Sequence, residues 1–200
     1  MKKQIIVIGG GDTFADEDYE KYLQFLRDLE LDYERLISDK SDWKRGLRRE
    51  LGDKYEIMLP SMPNKFNARF AEWSLWFEKL FPFLHDQVVL VGHSLGGAFL
   101  AKYLTENGFP KEIQALFLVS AVFDADTDGN PLWSFALPEK LVAPANEIFI
   151  YHSKDDPVVP FSDMQKYQLQ FPNASVRVFE NRGHMNQEQF PEIVEDIRSL

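Results

Sequence analysis

The sequence predicts an α/β fold, a mostly parallel central sheet flanked by helices on both faces. Three observations carry this. Residues 5–8 (Ile-Ile-Val-Ile), 88–91 (Val-Val-Leu-Val) and 115–119 (Ala-Leu-Phe-Leu-Val) are continuous apolar runs without polar alternation, the signature of strands covered on both sides. Such runs alternate with helical stretches along the chain, the order expected of βαβ units. One run, 88–91, stops abruptly at Gly92 and gives way to a helix-like stretch at 98–104, so strand, tight turn and helix follow within a few residues.

Composition bounds the function. Two hundred residues with 44% hydrophobic side chains suit a single domain, 1–200, with a sizeable core. Thirty-two acidic against 22 basic side chains give a net charge of −10, which argues against nucleic acid or an anionic membrane as a partner bound through a broad basic surface. The chain has no cysteine, so disulfides, thiolate catalysis and cysteine-based zinc sites are excluded and a reducing compartment is allowed. No stretch approaches membrane length. A cytoplasmic monomer is the expectation.

In chain order, residues 5–8 form the first strand and run into Gly9-Gly10-Gly11. A dinucleotide-binding G-x-G-x-x-G fails here because position 14 is Phe. Residues 12–40 hold ten acidic and four basic side chains, net −6. Their aromatic and leucine positions recur at helical spacing, predicting an amphipathic helix packed on the domain and partly shielding the site. Residues 43–51 predict a helix ended by Gly52. Residues 55–59 predict a strand stopped by Pro60 and Pro63. Residues 67–81 predict a helix whose stripe, from Phe66 through Phe70, Trp73 and Phe77 to Phe81, reads as core. After the strand–turn–helix unit, strands follow at 113–120, 147–152 and 175–179. Ser162 is placed to cap a helix to about Leu169, and 191–200 closes the chain as a helix.

The turn at 92–96 reads Gly-His-Ser-Leu-Gly, the G-x-S-x-G spacing of a nucleophile elbow. A serine hydroxyl is a weak nucleophile at neutral pH and needs a base, with a carboxylate to orient that base. In this elbow architecture the chain order is serine, acid, histidine. Of four histidines, His85 precedes Ser94, His93 adjoins it and should diverge from it, and His152 lies on a strand before the best acid. His184, in a loop after the last strand, satisfies the order. The rigid turn Asp156-Pro157-Val158-Val159-Pro160 selects Asp156 over Asp155, with Asp124 as a displaced alternative. Ser94, Asp156 and His184 are thus the expected triad. The N–H of Leu95 and one from the glycine loop are the expected oxyanion donors.

The chain resembles the α/β-hydrolase superfamily and, within it, the small single-domain serine hydrolases of the retinoblastoma-binding group. The resemblance rests on the strand near residue 1, Leu-Pro-Ser-Met-Pro at 59–63, Gly-His-Ser-Leu-Gly-Gly at 92–97, Ser-Lys-Asp-Asp-Pro-Val-Val-Pro at 153–160 and Gly-His-Met at 183–185. It implies a sheet lacking the usual N-terminal hairpin and carries the triad onto Ser94, Asp156 and His184. Gly10 takes the oxyanion-donor position, with Gly11 its neighbouring alternative. Two departures stand out: residues 12–40 look like an insertion, and the glycine turn lacks a preceding histidine or proline.

The expected activity is carboxylesterase-like hydrolysis of a small-molecule acyl ester, without cofactor or metal. One alternative is a binding protein on a hydrolase scaffold. Another is a calcium-responsive protein, because Asp124, Asp126 and Asp128 match the first half of an EF-hand loop. The twelfth position of that loop, however, is Phe135 where a glutamate is needed.

Overall fold

The computed structural model describes all residues except 1, 32, 34–36, 38–41 and 125–131. Six strands form one sheet: β1 (Lys3–Ile8), β2 (Tyr55–Met58), β3 (Gln87–His93), β4 (Glu112–Val119), β5 (Ala145–Ser153) and β6 (Ser175–Phe179). Their order is β2-β1-β3-β4-β5-β6 and every pairing is parallel. Among the described residues six complete α-helices accompany them: α1 (Tyr19–Asp28), α2 (Trp43–Leu51), α3 (Phe70–Glu78), α4 (Leu95–Asn107), α5 (Phe161–Gln170) and α6 (Pro191–Ser199).

Both faces of the sheet are covered, which is why the strands read as unbroken apolar runs. On one face Ile6, Ile8, Leu90, Leu116 and Leu118 pack against Trp73 and Phe77 of α3, Phe99 of α4 and Tyr167 of α5. On the other, Ile5, Val7, Val89, Phe117 and Val119 meet Trp43 and Leu47 of α2 and Ile193 and Ile197 of α6. Helix α4 is apolar nearly all round, with Leu95 through Ala101 buried, as a helix enclosed by its neighbours must be. Among the described residues no helix is long and apolar enough to cross a membrane.

Register brings the carboxyl ends of the strands to one edge. Ile8 pairs with Gly92, His93 with Val119, Val119 with Tyr151 and Ser153 with Phe179. The loops after β1, β3, β4, β5 and β6 therefore emerge side by side, at the edge where parallel α/β sheets place their ligands.

Three expectations are corrected. The helix predicted over 67–81 covers only Phe70–Glu78. Arg69 is extended (φ −125°, ψ 129°), and its Nη1 donates to the Phe14 carbonyl at 2.6 Å and to Asn67 Oδ1 at 2.7 Å. Asn67 Oδ1 in turn accepts the Phe14 N–H at 3.2 Å. These bonds to Phe14, in the loop after β1, and to Asn67 outweigh local helix propensity. As a result Phe66 lies outside the helix and is 39% exposed rather than core. Ser162 is the second residue of α5, whose N-cap is Pro160, and it caps nothing. The acidic segment begins as an extended stretch and one 3₁₀ turn at Asp16–Asp18 before α1. No residue of α1 is fully buried. It leans on the body through Tyr22 and Phe25, whose rings lie 5.6 and 5.5 Å from that of Phe14.

Candidate active site

Ser94 sits between β3 and α4 at φ 56°, ψ −126°, a left-handed conformation that a non-glycine residue adopts only when its surroundings enforce it. The enforcement is visible. The Ser94 N–H donates to the Val119 carbonyl at 3.0 Å, and the Ser94 carbonyl accepts the Gly97 N–H at 2.9 Å. A methyl group on Gly96 would stand 2.3 Å from the Ile8 carbonyl oxygen, and one on Gly92 would stand 2.6 Å from the Gly96 oxygen. The two glycines of G-x-S-x-G are thus required by close backbone approach. Leu95 opens α4, a position whose N–H has no carbonyl within the helix to bond.

Gly10 lies against the serine. A Cβ built on it would be 2.9 Å from Ser94 Cβ and 3.3 Å from Oγ, whereas one on Gly11 would meet the Lys65 carbonyl at 2.5 Å. Of the two glycines, Gly10 is the one apposed to Ser94.

His184 follows β6 and enters the same cleft. Its Nδ1 lies 2.9 Å from Asp156 Oδ2 and 3.1 Å from Oδ1. The Asp156 side chain is fully shielded from solvent and also accepts the N–H groups of Val158 and Val159, at 2.9 and 3.0 Å. Burial disfavours its charge. The His184 hydrogen bond and the Val159 and Val158 N–H groups more than offset that, and the carboxyl is held at about 2. Among the described residues Ser94 Oγ makes no hydrogen bond. Nucleophile–base contacts commonly tighten only in the substrate complex.

The other candidates separate cleanly. Asp155 turns away from the imidazole. Its Oδ1 accepts Ser153 Oγ–H at 2.5 Å and the Gly183 N–H at 2.9 Å, so it ties β5 to the loop carrying His184. Asp124 pairs with Lys166. Asp126 and Asp128 of the calcium reading lie outside the described residues. Among those described, no cluster of three or more metal-ligating side chains occurs. His85 is at the opposite end of the sheet, near the Lys2 carbonyl. His152 is buried on β5, donating from Nε2 to the Val159 carbonyl at 2.9 Å, and so braces the turn whose N–H groups hold Asp156. His93 is buried, with Nε2 2.9 Å from the His184 carbonyl. Motif spacing assigns no role to either histidine. Their partners are backbone carbonyls, 91 residues away for His93 and seven for His152.

Ser94, His184, Leu95 and Gly10 line one cleft of about 1220 Å³. Its wall includes Phe14, Phe66 and, from α1, Phe25, with Phe25 and Phe66 6.4 Å apart centroid to centroid. The arrangement offers a strained serine, an imidazole backed by a buried anion, helix-terminal amides and an apolar wall. Chemically it can support acyl transfer.

The chain is similar to known proteins in sequence and in fold. The chain is 27% identical over 164 residues to the rat (Rattus norvegicus) serine hydrolase RBBP9, covering 78% of this chain and 83% of that protein. It is 27% identical over 157 residues to YdeN of Bacillus subtilis strain 168, covering 76% and 82%. The crystal structure of the B. subtilis ydeN product superimposes with a TM-score of 0.73 at 20% identity, over 99% of this chain and 98% of that one. An esterase from Exiguobacterium antarcticum superimposes with a TM-score of 0.59 at 17% identity, over 99% and 91%. These structures share the α/β-hydrolase fold. The serine hydrolase family pattern matches residues 37–196, and the chain belongs to that family.

Proposed function

We propose that this serine hydrolase cleaves acyl esters in the manner of a carboxylesterase, through a Ser94–His184–Asp156 triad and a covalent acyl-enzyme. His184 Nε2 takes the Ser94 proton as Oγ attacks the acyl carbonyl. Asp156 holds the Nδ1–H tautomer and stabilises the imidazolium that forms. The N–H groups of Leu95 and Gly10 receive the oxyanion. The alcohol leaves with the proton from His184, and water, activated by the same imidazole, releases the acid. These steps use no cofactor.

One observation carries the reading: a buried, ionised Asp156 bonded to His184 Nδ1 in the cleft that holds a serine at φ 56°. Residues 12–40 are read as an insertion whose helix α1 supplies part of the apolar wall, suiting an ester with an apolar acyl or alcohol group.

The test is a panel of 4-nitrophenyl esters of graded chain length, with fluorophosphonate labelling alongside. Wild type should turn over and become labelled. Ser94→Ala should lose labelling and about 10⁴-fold or more of kcat. Near-normal turnover by Ser94→Ala would eliminate the assignment.

A further inference from the structure

The loop that carries His184 does not hold its own shape. Gly183 and Met185 on either side are both left-handed, at φ 50° and 51°, and within residues 182–185 one bond closes the turn, Met185 N–H to the Arg182 carbonyl at 3.2 Å. The loop is held instead by side chains from other elements, one for each successive residue. The Arg182 N–H donates to Ser153 Oγ at 2.9 Å, and the Gly183 N–H to Asp155 Oδ1 at 2.9 Å. The His184 carbonyl accepts from His93 Nε2 at 2.9 Å, and the Met185 carbonyl accepts from Trp43 Nε1 at 2.8 Å.

The last two bonds come from the face of the sheet opposite α4, and they reinforce each other. The His93 and Trp43 rings meet edge-on, 6.2 Å apart at 90°. The His93 ring also lies 4.8 Å from that of His184. Trp43 is 1% exposed, its ring packs edge-on against Phe190 at 5.4 Å, and its backbone N–H donates to the Gln187 carbonyl at 2.9 Å. Burial, with Lys44 and His184 nearby, pushes the His93 ring well below the usual imidazole range. It is therefore a neutral imidazole with its proton on Nε2, where the carbonyl requires a donor.

We propose that His93 and Trp43 are positioning residues: they hold the consecutive carbonyls of His184 and Met185 so that the His184 imidazole stays between Asp156 and the Ser94 hydroxyl. The inference rests on the triad reading. It adds a requirement that reading lacks, namely that a neutral donor next to the nucleophile fixes the base from behind. A leucine at position 93 would occupy the space and leave the His184 carbonyl without its donor.

Three substitutions separate positioning from packing. His93→Leu removes the donor and keeps bulk. His93→Gln restores an N–H at similar reach. Trp43→Phe keeps a ring and removes its N–H. For each, kcat and KM on a 4-nitrophenyl ester, the rate of fluorophosphonate labelling, the melting temperature and the downfield Nδ1 proton resonance of His184 are measured. His93→Leu and Trp43→Phe should lower kcat and labelling rate by about tenfold or more, with KM little changed and the resonance shifted or broadened. His93→Gln should recover most of the loss. A wild-type resonance and labelling rate in both His93→Leu and Trp43→Phe overturns the proposal, as does a His93→Gln protein no better than His93→Leu. Should His93→Leu fail to fold, Trp43→Phe decides alone, a wild-type resonance and labelling rate in it overturning the proposal. The resonance is read without turnover, so a failure of positioning stays distinct from a failure of the triad, which Ser94→Ala reports.

Discussion

Gly10→Ala is the sharpest test of how closely the glycine loop sits on the candidate nucleophile. The new methyl group would lie 2.9 Å from Ser94 Cβ. Carbon atoms in contact prefer about 3.5–4.0 Å, so the loop and the serine must separate by about 0.6–1 Å. Neither side is a flexible tip: Ser94 Cβ is one bond from a backbone tied to Val119 and Gly97. A displacement of this size at a reacting centre costs about 100-fold in rate, while the overpacking itself destabilises the fold by about 1–2 kcal/mol. Gly9→Ala is the matched control, since a Cβ there meets nothing within 4 Å and should change kcat/KM by no more than about twofold. Ester hydrolysis and fluorophosphonate labelling, with melting temperatures, read both variants. Gly10→Ala with half or more of wild-type kcat/KM would refute the contact argument. Equal damage from Gly9→Ala would show that the loop as a whole, and not this contact, is sensitive.

Three further variants carry expected outcomes. Asp156→Asn should lower kcat by about 10⁴-fold by losing the tautomer control of His184; a loss below tenfold would remove Asp156 from the triad. The same variant has a stability signature. The carboxyl is held at about 2 against an ordinary 3.8, so ionised Asp156 contributes about 2 kcal/mol that is fully present above pH 4 and disappears as pH falls to 2. The gap between wild type and Asp156→Asn in denaturant titrations should therefore be widest near neutrality and close in acid, and a gap constant with pH contradicts this. Phe25→Ala should leave acetate hydrolysis within about twofold and cost about 1–2 kcal/mol, roughly tenfold in kcat/KM, on longer acyl esters; uniform loss across the series would take Phe25 off the substrate wall. Gly96→Ala forces a methyl group to 2.3 Å from the Ile8 carbonyl oxygen and should cost about 3 kcal/mol or more of stability, so an unchanged thermal midpoint would contradict the close approach of α4 to β1.

The elements most legible in the sequence are those whose signals are local. Residues 175–179 and 43–51 read as strand and helix from periodicity and a glycine stop, and Ser175–Phe179 and Trp43–Leu51 are those elements. Gly52 closes its helix at φ 72°, as a left-handed C-terminal glycine does. Legibility fails where a long-range bond outbids local preference. Nothing near Arg69 in sequence says that its guanidinium will hold the Phe14 carbonyl, yet that bond keeps residue 69 extended and leaves Phe66 exposed beside the cleft. The acidic segment shows the same limit. Its composition is net −6, but what it turns toward the cleft includes Phe14, Lys21 and Phe25, because the rings of the stretch lean on the body while its described acidic side chains do not line the cleft in proportion to their number.

The histidines and aspartates show why chain order finds candidate catalytic groups and overlooks their supports. An order rule follows the backbone from one sheet edge to the next, and parallel topology makes that path predictable. It therefore isolates His184 and the Asp155–Asp156 pair. What divides the pair is direction. Adjacent residues in the turn after β5 point apart, so Asp156 meets the imidazole while Asp155 reaches the Gly183 N–H. Both carboxyls are lowered, Asp156 despite its burial and Asp155 first through Ser153 and Gly183, so charge alone does not separate base-orienting from loop-holding roles. The same holds for His93 and His152. Both are pushed down by burial and both spend Nε2 on a backbone carbonyl, and a neutral donor of that kind leaves no trace in motif spacing. On the proposed reading, this chain's site combines one histidine placed by topology with two whose Nε2 groups brace the loops around it, and substitutions that preserve an N–H at positions 93 and 152 should keep ester turnover where hydrophobic ones of equal size do not.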